Sequence, residues 1–181
     1  MTRKALLVID MQKDLCYDDR RKNKVLKLLD PLIETIDLFH KAQHSIYYIC
    51  FSLQKDDEQF ERFGDIYCIG GTEGAEIIPE LIPLKGTVIT KTKHSAFFET
   101  DLDVALKKDR VEEIYLTGMQ TQICIMTTAA DAHFRGYKPI AISDCVLSTR
   151  EENKTQALAW IKKYVGEVSS LAEVVNEFKN E

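Results

Sequence analysis

The 181-residue sequence predicts an α/β fold, a doubly wound, mainly parallel sheet with helices on both faces. Two observations carry that expectation. Short, nearly continuous apolar runs rich in Val, Ile and Tyr recur along the chain, the pattern of strands buried on both faces. Segments of helical periodicity separate them, with no internal repeat, low-complexity stretch or long linker between. One domain over residues 1–181 is expected, because a chain of this length buries roughly two-thirds of its unfolded surface without disulfides or metals.

The predicted strands are KALLVID (4–10), SIYYICFS (45–52), GTVITK (86–91), VEEIYLTG (111–118) and KPIAISD (138–144). After the first strand, Asp30 and Pro31 offer an N-cap and a first helical residue. Leu32, Ile33, Ile36, Phe39 and Ala42 then form one apolar face. TDLDVALKKD (100–109) begins on a Thr–Asp cap and turns Leu102, Ala105 and Leu106 inward. The segment from Gln122 to Phe134 reads as a helix that stops at Gly136. Two more helices follow, REENKTQALAWIKKYVG and SSLAEVVNEF, the second capped by Ser169 or Ser170. The stretch from Leu53 to Glu80 opens polar and carries three glycines in its second half, and is expected to cover something as a lid or binding loop.

Composition excludes several classes of function. A hydrophobic fraction of 45% and a charged fraction of 29% are those of an ordinary globular protein. The net charge of −5 gives no basic face for nucleic acid. The run RRKNK (Arg20 to Lys24) follows two aspartates and reads as a mixed surface. MTRKALLVID has too few apolar residues before Asp10 for a signal peptide, and no run approaches the roughly 18 residues of a membrane span. Five cysteines, an odd number without C-x-x-C, point to reduced thiols and a cytoplasmic location.

In an open α/β sheet, ligands sit outside the carboxyl ends of the strands. Three reactive side chains fall there. Asp10 closes the first strand, Lys91 closes the third with Lys93 two residues on, and Cys124 opens the helix after the fourth. A thiol at a helix N-terminus, with a lysine near, is expected to give a thiolate near neutral pH. Cys16, Cys50, Cys68 and Cys145 lack such neighbours and read as structural. His40 and His44 stand at a zinc-binding spacing but lack the glutamate of H-E-x-x-H, so no metal site is expected, and GGTEG (70–74) lacks the lysine of a phosphate-binding loop. His133 reads as structural, whereas His94 falls near the three reactive groups.

At this point the residues resemble the isochorismatase-like cysteine hydrolases, a superfamily that includes nicotinamidases and N-carbamoylsarcosine amidohydrolases. LLVIDMQKD is similar to the family's opening strand and its aspartate, here Asp10, and GTEGAEIIPEL to the segment before the third strand. KTKHSAFFETDLDVAL is similar to K-x-R-Y-S-A-F followed by T-x-L, which places the lysine at Lys91. TGMQTQICIMTTAADAHFRGY is similar to the nucleophile segment, with its cysteine at Cys124. The resemblance implies a three-layer α/β/α fold of Rossmann-like topology and an Asp10–Lys91–Cys124 triad. It also implies a cis peptide between Met119 and Gln120, and an oxyanion hole from the Gln120 and Cys124 backbone N–H groups. A homo-oligomer, dimer or tetramer, is common among such proteins.

Departures from the family pattern narrow the substrate. The region after the second strand, FSLQKDDEQFERFG, has no histidine where nicotinamidases hold a metal that grips a pyridine nitrogen. Leu15 replaces an aromatic residue, and His94 and Lys93 stand for the usual tyrosine and arginine. The expectation is a cofactor-free, metal-independent hydrolase of a small amide, carbamoyl or ureido compound. Nicotinamidase is the alternative enzyme, and a non-catalytic small-molecule-binding module the alternative of another class. Candidates for the pocket wall are Gln12, Leu15, Phe60, Phe63, His94 and Phe97.

Overall fold

The computed structural model describes residues 2–82 and 86–180. Six parallel strands form one sheet: β1 (Lys4–Ile9), β2 (Ser45–Phe51), β3 (Thr87–Lys91), β4 (Glu113–Met119), β5 (Lys138–Leu147) and β6 (Glu167–Ser169), in the order β3-β2-β1-β4-β5-β6. Every residue of β1 is buried, as is required of a strand packed on both faces. The five predicted strands are all present. β6 was not predicted, because a three-residue edge strand with no buried residue gives no periodic signal.

Helices α1 (Lys13–Cys16), α2 (Lys22–Lys41), α3 (Glu58–Phe63), α4 (Leu102–Lys108), α5 (Met126–Phe134), α6 (Glu151–Tyr164) and α7 (Leu171–Lys179) connect and cover the sheet. The reading of Asp30–Pro31 as a helix start is corrected: α2 begins at Lys22 and runs through Pro31. A proline inside a helix costs about 3 kcal/mol. Here Val25, Leu28, Leu29, Leu32, Ile36 and Phe39 make one buried stripe across it, worth roughly 1.5 kcal/mol or more per side chain, and burial wins. α7 is capped by Ser170, whose side chain and that of Glu173 form a reciprocal capping box.

Chain order reverses between β1 and β4, so a crevice opens at their carboxyl ends. Gly118 holds these strands close. Its φ is +99°, and a Cβ there would collide with the backbone of Ile9. Just before it, the register of β4 on β5 shifts between Leu116 and Gly118.

Candidate active site

Asp10 is the first residue past β1. Its φ of +57° lies in the left-handed region, which aspartate tolerates better than most residues, and its N–H donates to Ile49 O at 2.8 Å. The chain therefore turns at once and the carboxylate is buried beneath the crevice, 1% exposed. Lys91, at the end of β3, lies two strands away and reaches it across Phe51 at the end of β2. Its Nζ stands 4.1 Å from the centre of the Phe51 ring. The ammonium donates to Asp10 Oδ2 at 3.0 Å and to the His94 carbonyl at 2.9 Å. Lys93, by contrast, pairs with Glu58 at the surface.

Cys124 lies in a π-helical turn, Thr121–Ile125, that leads from β4 into α5. The predicted helix from Gln122 is thus a π turn followed by an α-helix from Met126, a break often found at functional sites. The Met119–Gln120 peptide is cis. The Cys124 side chain is buried beside Asp10 and Lys91, and its Sγ lies 3.9 Å from His94 Nδ1.

The three charges set one another. Burial raises the Asp10 carboxyl, and Lys91 only partly offsets this. Burial opposes the Lys91 charge, but Asp10 and Cys124 outweigh it and hold the ammonium above its ordinary value. Burial, followed by the Asp10 charge, drives the Cys124 thiol up despite Lys91. The expectation of a thiolate near neutral pH is therefore corrected. Desolvation and a like charge exceed what a helix terminus supplies, and the resting group is a thiol beside a carboxylate of raised basicity. Asp10 Oδ1 is buried and has no hydrogen-bond partner among the described residues.

Asp10 and Cys124 line the floor of a cavity of about 330 Å³, at the small end of the range for ligand sites, with Lys91 behind them. Its walls include Phe51, Tyr67, Met119, Gln120, Gln122 and Ile123.

Comparison with known proteins bears on this arrangement. The family model described as the isochorismatase domain matches residues 4–173. The chain belongs to the isochorismatase family. This isochorismatase-family hydrolase is similar in structure to a nicotinamidase from Bacillus subtilis, with a TM-score of 0.86 at 26% identity over 93% of this chain and 100% of the other. It is similar also to N-carbamoylsarcosine amidase from Thermoplasma acidophilum, with a TM-score of 0.85 at 27% identity over 94% and 97%. Nicotinamidase 3 of Arabidopsis thaliana is 28% identical over 156 residues, covering 82% of this chain and 75% of its own.

The family member departs from its sequence-based expectations at the pocket wall. Leu15 and His94 line the cavity. Gln12 does not: its buried amide accepts from Phe51 N and donates to the Phe51 and Ala75 carbonyls, tying β2 to the 53–80 loop. Phe97 stacks on Tyr137 in the core, and Phe60 packs on Tyr67 behind the wall. The Phe63 side chain lies outside the described residues. The loop does cover the site, through Asp65, Ile66 and Tyr67.

Arg20 and Arg21, read from the sequence as a mixed surface, also line the cavity. Arg20 bridges Asp18 and Asp65, each at 2.7 Å, and so ties the α1–α2 turn to the loop. A basic pair ten residues beyond a strand-end aspartate was the available signal, obscured by the acidic residues around it. Among the described residues no group of three or more His, Cys, Asp or Glu side chains is placed to hold a metal ion. The side chains of the described residues do not fit a pyridine-gripping metal. His44 instead packs between Phe39 and Phe178.

Proposed function

We propose that this isochorismatase-family hydrolase cleaves a C–N bond of a small amide, carbamoyl or ureido compound through a thioester on Cys124. The observation that carries the reading is the meeting of Asp10, Lys91 and Cys124 under one small cavity, from three different strand ends. A thiol beside a carboxylate of raised pKa needs only one short proton transfer to become a nucleophile. Asp10 takes the Cys124 proton as sulfur attacks the carbonyl carbon. Lys91 holds Asp10 in place and offsets the negative charge as it moves from carboxylate to sulfur. The backbone N–H groups of Gln120 and Cys124 receive the oxyanion, a contribution of roughly 3–4 kcal/mol to the barrier. Protonated Asp10 then gives its proton to the nitrogen as the C–N bond breaks. Water hydrolyses the thioester.

A nicotinamidase reading is favoured by the two relatives of that name and opposed by the histidine-free segment after β2. A screen of small amides and ureides for ammonia release, nicotinamide included with and without divalent metal, tests both. Turnover that Cys124→Ala and Asp10→Asn each abolish is expected. Efficient metal-stimulated turnover of nicotinamide overturns the substrate argument, and full activity in Cys124→Ala overturns the nucleophile. A homo-oligomer is part of the proposal, tested by light scattering of the purified chain.

A further inference from the structure

Asp10 accounts for the first half of such a reaction, in which it receives a proton from sulfur and passes it to the leaving nitrogen. The second half needs a base for water. After the amine departs, Asp10 is an anion again but buried at the cavity floor, pinned by Lys91. His94 is placed differently. It lines the cavity, it is only partly buried, and its Nδ1 is 3.9 Å from the Cys124 sulfur. Its carbonyl accepts from Lys91 Nζ at 2.9 Å, and its ring stands edge-on to Phe51, 6.1 Å between centres. The next residues of its turn are pinned to α5, with Ser95 Oγ donating to Asp131 and Ala96 N donating to Thr128 Oγ1.

We propose that His94 is a further catalytic residue, the general base for hydrolysis of the Cys124 thioester. The inference rests on the thioester reading above. As the water oxygen bonds to the thioester carbon, one water proton passes to the neutral imidazole. The tetrahedral intermediate then collapses, the C–S bond breaks, and its electron pair stays on sulfur. The imidazolium, in contact with that sulfur, returns the proton. The products are a carboxylic acid and the Cys124 thiol, with His94 neutral as it began. Burial, then the positive charges of Lys91, Lys93 and Arg62, hold the His94 imidazole below its ordinary pKa and so favour its neutral form. The other titratable groups that line the cavity with it are Asp10, Cys124 and Tyr67 at the floor and wall, and Asp14, Asp18, Arg20, Arg21 and Asp65 toward the loop. Deacylation carried by His94 therefore rises with pH below neutrality and is flat above it.

The test uses 4-nitrophenyl acetate, whose good leaving group makes acylation fast and leaves acetyl on sulfur. With His94→Gln and His94→Ala, a burst of about one equivalent of nitrophenolate should precede a steady state slowed about 10²-fold or more. kcat/KM should stay near the wild-type value, and acetyl-Cys124 should accumulate by intact mass. Added imidazole should restore the steady state of His94→Ala, which a role in packing alone does not allow. The burst itself shows that the variant is folded. Three results overturn the proposal: a steady state equal to wild type, a burst slowed as much as the steady state, or no rescue by imidazole. If neither wild type nor variant is ever labelled on Cys124, the thioester reading itself falls, a failure distinct from that of His94.

Discussion

Removing the Lys91 charge by Lys91→Met separates two roles of the buried ion pair. Nζ and Oδ2 are 3.0 Å apart, with side chains 0% and 1% exposed. At an effective dielectric of about 20 their attraction is about 5–6 kcal/mol, most of it spent against desolvation. Leaving Asp10 alone in that site costs about 3–5 kcal/mol. For a chain of this size that is a fall in Tm of about 6–20 °C. The loss has a pH dependence. The folded pKa of Asp10 is already raised, and losing Lys91 raises it further. A raised carboxyl gives stability below its unfolded pKa and loses it as pH climbs to the folded one. Wild type and variant should therefore lie close near pH 4 and diverge toward neutrality. The Asp10→Asn/Lys91→Met double variant removes both charges and should recover most of the lost stability, yet have no activity. Thermal and urea unfolding across pH 4–8 measure this. A fall below about 1 kcal/mol in the single variant, or a double variant no more stable than it, would refute the claim that Lys91 holds Asp10 as an anion.

Other consequences follow from the same geometry. Alkylation of Cys124 by iodoacetamide should be slow at pH 7 and still rising at pH 9, and Asp10→Asn should speed it at pH 7, because the Asp10 charge raises the thiol; a wild-type plateau below pH 8 contradicts this. Cys50→Ala should keep kcat within about twofold, since Cys50 is a buried β2 residue whose thiol burial raises to about 12. Gly118→Ala should lose more than about 1 kcal/mol in urea unfolding and reduce kcat as well, because the strand that carries Gln120 must move off Ile9. Arg20→Met should raise KM more than it lowers kcat, since Arg20 ties the loop to the cavity rim and touches none of the triad.

Most of the fold was legible because β1, β2, β4 and β5 are buried on both faces and read as apolar runs. α2 shows the limit. Its first half carries Lys22, Asn23, Lys24 and Lys27 around buried Val25 and Leu28, and a proline follows, so local signals placed the start nine residues late. The candidate site was legible where a single residue at a strand end carries the reactive group, as with Asp10 and Lys91. The pocket wall was not. Gln12 lies between two site residues in the sequence, yet its amide serves as a backbone partner, and Tyr67 enters from a loop that carries little regular pattern. The thiol illustrates a different failure. A helix start suggests a thiolate, whereas burial and a neighbouring carboxylate, both tertiary facts, decide against one.

The most direct test of the account is rapid-quench peptide mapping during turnover of whichever small amide or ureide releases ammonia. The account predicts a substrate-derived acyl group on the peptide containing Cys124, present in wild type and enriched in His94→Gln. Ammonia release by wild type with no adduct on Cys124, persisting in Cys124→Ala, would contradict it.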